Sequence, residues 1–213
     1  KVMSRYVHGI IIRCHGHQDL VDYASHSDIP VINALTDSFH PCQLLADLQA
    51  IRELKGKTDG IKVAYVGDGA SNMGRSWAIA AKLAGMDLRI GAPEAFQIED
   101  EFLKDLKGTG SVCQTADPKA AADGVDIIYT DVWVSMGFEE EATERLNLLR
   151  PYQVNAELLG LADTDARVMH CLPAYRGKEI TSDVLDGPQS IIWDEAENRL
   201  HVQKALLLYL MKT

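Results

Sequence analysis

Short apolar runs alternate with helical patterns along the whole chain. The stretches 8-HGIIIR-13, 31-VINAL-35, 61-IKVAYVGD-68, 87-DLRIGA-92, 111-SVCQT-115, 126-DIIYTD-131, 167-RVMHC-171 and 190-SIIWD-194 read as strands. Between them, 17–26, 41–56, 72–83, 100–108, 117–124, 138–149, 153–160 and 195–211 carry helical spacing. Pro41 at a first turn and Gly56 past a last turn mark the ends of the second helix. The run at 61–68 is continuously apolar and rich in β-branched residues, as expected of a strand buried on both faces. Strand–helix alternation of this kind predicts an α/β fold, a doubly wound, Rossmann-like parallel sheet with helices on both faces.

The polar stretch 55-KGKTDG-60 precedes the strongest strand and is expected to be a domain junction. Residues 1–56 then form the end of a first, partial α/β domain. Residues 57–194 form a complete doubly wound domain, and 195–213 a C-terminal helix that packs back across both. The chain begins at Lys1, and 1-KVMSRYVHG-9 reads as the tail of a helix entering a strand. The sequence is therefore expected to be the later part of a longer protein.

With 46% hydrophobic and 24% charged residues, the composition is that of a soluble globular protein. The longest apolar run, 205-ALLLYL-210, is far too short to span a bilayer, so no membrane partner is expected. A net charge of −10 argues against nucleic acid, which needs a basic face, but leaves room for a small anion held by a few local cations. Cys14, Cys42, Cys113 and Cys171 form no CxxC pair and read as reduced thiols. Neighbouring His170 and Cys171 are expected to point to opposite faces of a strand, so no metal and no cofactor is predicted.

Candidate chemistry collects at strand ends. In 66-VGDGASNMG-74 the glycines could cradle a dinucleotide, with Asp87 as the ribose acid. However, the third glycine is displaced, and Asp68 would oppose a pyrophosphate. The competing readings are a tight turn that needs small residues, or Asn72 holding a ligand carboxylate at a helix start. In 131-DVWVSMGFEEE-141, Asp131 and Ser135 suit an ammonium group, while a plain helix cap and dipole partner is the bland alternative. In 40-HPCQ-43, His40 and Gln43 meet free backbone N–H groups and suit a polarised carbonyl or phosphate, or are simply a cap. In 170-HCLP-173, taken singly, a satisfied core histidine and a buried thiol are the favoured readings. Arg199 and Arg13 are either anion ligands or solvated surface groups. The odds shift because Asp131, Cys171 and the 67–74 turn all end strands of one sheet.

Taken together, 40-HPCQ-43, the 66–74 turn, 131-DVWVSMG-137, 170-HCLPAYRGKEI-180 and 196-AENR-199 resemble, in order and spacing, the aspartate/ornithine carbamoyltransferase family. The resemblance covers essentially the whole chain. It implies that 1–56 is the C-terminal portion of a carbamoyl-phosphate-binding domain and 57–194 an ornithine-binding domain. Its S-M-G and H-C-L-P elements point to L-ornithine as the amine substrate. By the same resemblance, Arg13, His40 and Gln43 would contact the carbamoyl group, with Arg199 holding carbamoyl phosphate and its developing charge. Asn72, Asp131, Ser135 and Met136 would grip ornithine's α-carboxylate and α-amino group, and Cys171 with the Leu172 backbone would orient the attacking amine at the carbamoyl-phosphate site. Cys171, Asp131, Arg13 and His40 would be the catalytic set. The product would be citrulline, and the full-length enzyme a homotrimer in the cytoplasm or, in a eukaryote, the mitochondrial matrix.

The family's Ser-Thr-Arg-Thr phosphate loop has no counterpart in these 213 residues, so this chain alone is expected to be inactive or nearly so. Three alternatives remain open: a carbamoyltransferase for another amine such as putrescine, a non-catalytic amino-acid-binding domain, and a nicotinamide-dependent oxidoreductase.

Overall fold

The computed structural model describes residues 1–134 and 142–211. Two parallel strands, β1 (Ile10–Arg13) and β2 (Val31–Leu35), flank α1 (His17–Ser25). Helix α2 (Pro41–Lys55) follows and closes on Gly56, whose φ of 73° lets its N–H reach Arg52 O at 2.9 Å. The second unit contains β3 (Lys62–Val66), α3 (Asn72–Ala84), β4 (Asp87–Gly91), α4 (Asp100–Asp105), β5 (Ser111–Thr115), α5 (Pro118–Ala122) and β6 (Ile127–Thr130). It continues with α6 (Ala142–Leu149), α7 (Ala156–Leu159), β7 (Arg167–His170), α8 (Ser182–Leu185) and the long α9 (Ile192–Leu210).

The second unit's strands form one parallel sheet in the order β5-β4-β3-β6-β7. The chain starts at the central β3, winds outward through β4 and β5, then returns to the other side of β3 as β6 and β7. The crevice between β3 and β6 is therefore the topological switch point, where such sheets bind ligands. The doubly wound expectation holds, and burial shows why. Val63, Tyr65, Ile127, Tyr129 and Met169 face a core with Trp77 of α3, while Ala64, Val66, Ile128 and Val168 face a second core under α5, α7 and α8. Both faces of β3 and β6 are dry, which is what their unbroken apolar runs demand.

Three sequence expectations are corrected. The run 190-SIIWD-194 is no strand: Ser190 makes a single bridge to Val168, and the chain turns into α9 at Ile192. That helix therefore begins three residues before Glu195. The helix expected over 153–160 shrinks to α7, because Val154 is drawn into a bridge with Ile180 and Asn155 caps the helix by accepting from Leu158 N–H at 3.0 Å. The expected helix at 138–149 is seen as α6, its first four residues lying outside the described residues. No helix among the described residues is long and apolar enough to cross a membrane.

Candidate active site

The ends of β2, β3, β6 and β7 meet the starts of α2, α3 and α9 at one edge of the molecule. The β3–α3 turn comes first. Gly67 sits at φ 134°, outside the range of L side chains. A Cβ on Gly74 would lie 2.0 Å from Gly69 O, so α3 presses directly onto the turn. That contact explains the displaced third glycine. Ser71 caps α3 by accepting from Gly74 N–H at 3.1 Å. Asp68, out of place beside a pyrophosphate, is instead a buried ion-pair partner of Arg145, whose Nε also donates to Trp133 O at 3.1 Å. Burial pushes the Asp68 carboxyl up, and Arg145 partly offsets it. Asp87 lies at the start of β4, the opposite end of the sheet, where it accepts from Ser111 Oγ at 2.7 Å. The nicotinamide reading loses its ribose acid.

The first unit is stitched to this turn. Asn72 Nδ2 donates to Thr36 O at 2.8 Å, which occupies one of its two amide hydrogens. His40 N–H donates to Ser76 Oγ at 2.8 Å, and Ser76 Oγ donates to Asn72 O at 2.6 Å. His40 is thus the N-cap residue of α2 by position, but its side chain makes no capping bond. The residue is 8% exposed, and its Nδ1 has no hydrogen-bond partner among the described residues. Burial, with the positive charges of Arg199 and Arg13, holds its pKa down to about 4, so the imidazole is neutral near pH 7. Arg13 reaches this field from the end of β1, past an irregularity in its pairing with β2. One turn into α2, Gln43 accepts from Arg199 Nη1 through Oε1.

On the other side, Asp131 follows β6 and Cys171 follows β7. The Cys171 thiol donates to Asp131 Oδ1 at 3.0 Å, and Val132 N–H donates to the same oxygen at 2.7 Å. Burial raises Asp131, partly offset by the His170 ring and the thiol. Burial, and then the Asp131 charge, push Cys171 well above the usual thiol range. A thiol so disfavoured as thiolate is a hydrogen-bond donor, not a nucleophile. His170 is the satisfied core histidine. Its Nδ1 accepts from Leu172 N–H at 2.9 Å, so its Nε2 carries the proton toward Glu179 Oε1 at 3.3 Å. Leu172 itself sits at φ 56°, in the left-handed region, one residue past Cys171.

The expectation that His170 and Cys171 point apart fails, because β7 ends at His170. Asp131, His170 and Cys171 each bring one potential ligand atom within 4.8 Å of the others. Both ring nitrogens of His170 are engaged, so the trio is assigned as a hydrogen-bonded strand end. Ser135 and Met136 lie outside the described residues.

Sequence reasoning missed the residue that joins the two sides. Glu195, fully buried in the first turn of α9, accepts from Gln43 Nε2 at 2.8 Å and from His170 N–H at 2.9 Å. It was legible only as an acid near a helix start. Asp47, also fully buried and four residues after Gln43, was hidden in an ordinary helical pattern.

A doubly wound domain with polar groups converging at its switch point, backed by a second α/β unit, defines a small-molecule enzyme site shared between two units. The sequence comparisons make the class particular. Residues 1–53 match the family model for the aspartate/ornithine carbamoyltransferase carbamoyl-P binding domain, and residues 59–210 that for the Asp/Orn binding domain. The chain is 50% identical to the ornithine carbamoyltransferase of Mycolicibacterium paratuberculosis and 49% identical to that of Renibacterium salmoninarum, covering all of this chain and 70% of each relative. The ornithine carbamoyltransferase structure from Pyrococcus furiosus superposes with a TM-score of 0.93 at 47% identity, over 99% of this chain and 68% of that one. The Thermus thermophilus structure gives 0.90 at 40%, over 99% and 69%. The chain belongs to the aspartate/ornithine carbamoyltransferase family.

Proposed function

We propose that this chain carries the amino-acid site and part of the carbamoyl-phosphate site of an ornithine carbamoyltransferase. The observation that carries the reading is the Glu195 carboxylate. It bonds Gln43 on one side and the backbone of His170, the neighbour of Cys171, on the other, so Gln43 and the strand end that carries Cys171 belong to one hydrogen-bonded assembly. The reaction is attack of ornithine's neutral δ-amine on the carbamoyl carbon. A tetrahedral intermediate forms, then the C–O bond to phosphate breaks, the departing phosphate takes the proton lost by the amine, and citrulline is released.

The roles follow the family resemblance and, among the described residues, are supported by their hydrogen bonds and burial. Arg13 and the neutral His40 ring, whose Nδ1 has no partner among the described residues, polarise the carbamoyl carbonyl, while Gln43 holds the carbamoyl amide. Arg199 balances the charge that develops on the leaving phosphate. Asp131 pairs with the substrate ammonium. Asn72's second amide hydrogen, with Ser135 and the Met136 backbone, takes the α-carboxylate and α-amino group. Cys171 and the Leu172 backbone orient the amine. Catalysis on this reading is positioning and charge stabilisation without a covalent enzyme intermediate.

We place the phosphate cradle outside these 213 residues, since they contain no Ser-Thr-Arg-Thr stretch. The chain by itself is then without appreciable turnover, and the whole enzyme acts as a homotrimer in the cytoplasm or mitochondrial matrix. The test is citrulline formation from ornithine and carbamoyl phosphate, by the chain alone and by the full-length protein. Turnover by the full-length protein only is the expected result. Turnover of putrescine in place of ornithine, or ornithine binding without turnover, overturns the assignment.

A further inference from the structure

Asp47 and Glu195 take no part in the chemistry above, yet both are fully buried beside it. Two carboxyls in a dry core need a reason. The two hydrogens of Gln43 Nε2 are both used on them, donating to Asp47 Oδ1 at 2.9 Å and to Glu195 Oε1 at 2.8 Å. With its nitrogen held inward, the amide turns Oε1 toward Arg199. We infer that Asp47 and Glu195 are positioning residues that fix the orientation of the Gln43 amide, making position 43 a hydrogen-bond acceptor that selects an acyl phosphate bearing an NH2 group. The inference deepens the carbamoyl-transfer reading and rests on it.

The orientation matters because a glutamine amide can present either end. Flipped, it would aim its NH2 at Arg199 and at the substrate's NH2, setting donors against donors. One lone pair of Oε1 faces Arg199, and the other is left for the carbamoyl nitrogen. Sites that hydrogen-bond a substrate group reject analogues lacking it far better than apolar pockets do, because the unmatched polar group stays buried and unpaired.

The pair also stays electrically modest. Glu195 accepts from Gln43, from His170 N–H and, at 3.4 Å, from Tyr129 OH, which partly offsets the upward push of burial on its carboxyl. Among the described residues Asp47 Oδ2 has no donor of its own, and Asp47 is pushed up by burial and by Glu195.

The test uses the full-length enzyme and its variants. Glu195→Gln places an NH2 against either Gln43 Nε2 or His170 N–H. It is expected to raise KM for carbamoyl phosphate at least about 10-fold, while inhibition by inorganic phosphate, which lacks the NH2, stays within about 2-fold. Asp47→Ala is expected to act the same way. Asp47→Asn keeps an acceptor oxygen for Gln43 Nε2 and restores KM to within about 3-fold of the parent. Parallel weakening of carbamoyl phosphate and inorganic phosphate, or no change in either, overturns the inference.

A measurement on the parent protein needs no variant to fold. The side-chain NH2 protons of Gln43 are expected to exchange with deuterium at least about 100-fold more slowly than those of the exposed Gln18. Equal rates overturn the positioning role. If the full-length enzyme forms no citrulline, the functional reading falls, and this exchange measurement still decides how Gln43 is held.

Discussion

His40 provides the most direct test of the site's electrostatics. The residue is 8% exposed and its ring lies in the field of Arg199 and Arg13, which together with burial lowers its pKa from 6.5 to about 4. Between those two values the unfolded chain binds a proton at position 40 and the folded chain does not. Stability must therefore fall as the pH drops through this window. At 1.36 kcal/mol per pH unit, the loss amounts to about 3 kcal/mol by pH 4, with no further contribution from this group below that. Asp47, Asp68, Asp131 and Glu195 act with the opposite sign, because burial makes the fold hold their protons more readily. The assay therefore compares urea denaturation of the parent with His40→Gln, which keeps a polar side chain but cannot titrate. The stability difference between the two is expected to shift by about 3 kcal/mol in favour of the variant between pH 7 and pH 4. A difference that stays flat over this range would mean that His40 is solvated and free to protonate. It would remove the neutral-imidazole role assigned above.

Three further outcomes follow from the same geometry. Gly74→Ala puts a methyl group 2.0 Å from Gly69 O, and separating α3 from the turn is expected to cost at least about 3 kcal/mol in chemical denaturation and to abolish ornithine binding by calorimetry. At pH 7.5 iodoacetamide is expected to label the exposed Cys113 at least about 10-fold faster than Cys171, whose thiol is pushed up by burial and Asp131, as read by peptide mass spectrometry; ornithine should slow Cys171 further. Arg199→Lys in the full-length enzyme loses the planar contact to Gln43 Oε1 and is expected to lower kcat/KM for carbamoyl phosphate about 100-fold, with the melting temperature little changed.

Much of the architecture was legible in the order of residues. The apolar runs Val63–Val66 of β3 and Ile127–Tyr129 of β6 announced strands buried on both faces, because a side-chain period of two leaves little room for polar positions when both faces are dry. Pro41 and Gly56 bounded α2 because each has a backbone preference that acts without tertiary help. Site residues at strand ends were legible for a related reason: a polar group that closes an apolar run must sit where the sheet stops.

Long-range contacts decided the rest. Locally, 190-SIIWD-194 is as good a strand as β5, but only one residue pairs with β7, and the chain turns into α9 to reach α2. A satisfied core histidine was the sequence reading of His170, but its partners, Leu172 N–H and Glu179, are set by the fold. Glu195 and Gln43 lie 152 positions apart, and nothing in either helix's pattern marks them as partners. A buried carboxyl looks like any other acid in a sequence. Its energy depends on what surrounds it, and only the packing of α9 along α2 brings Glu195, Asp47 and Gln43 together out of water.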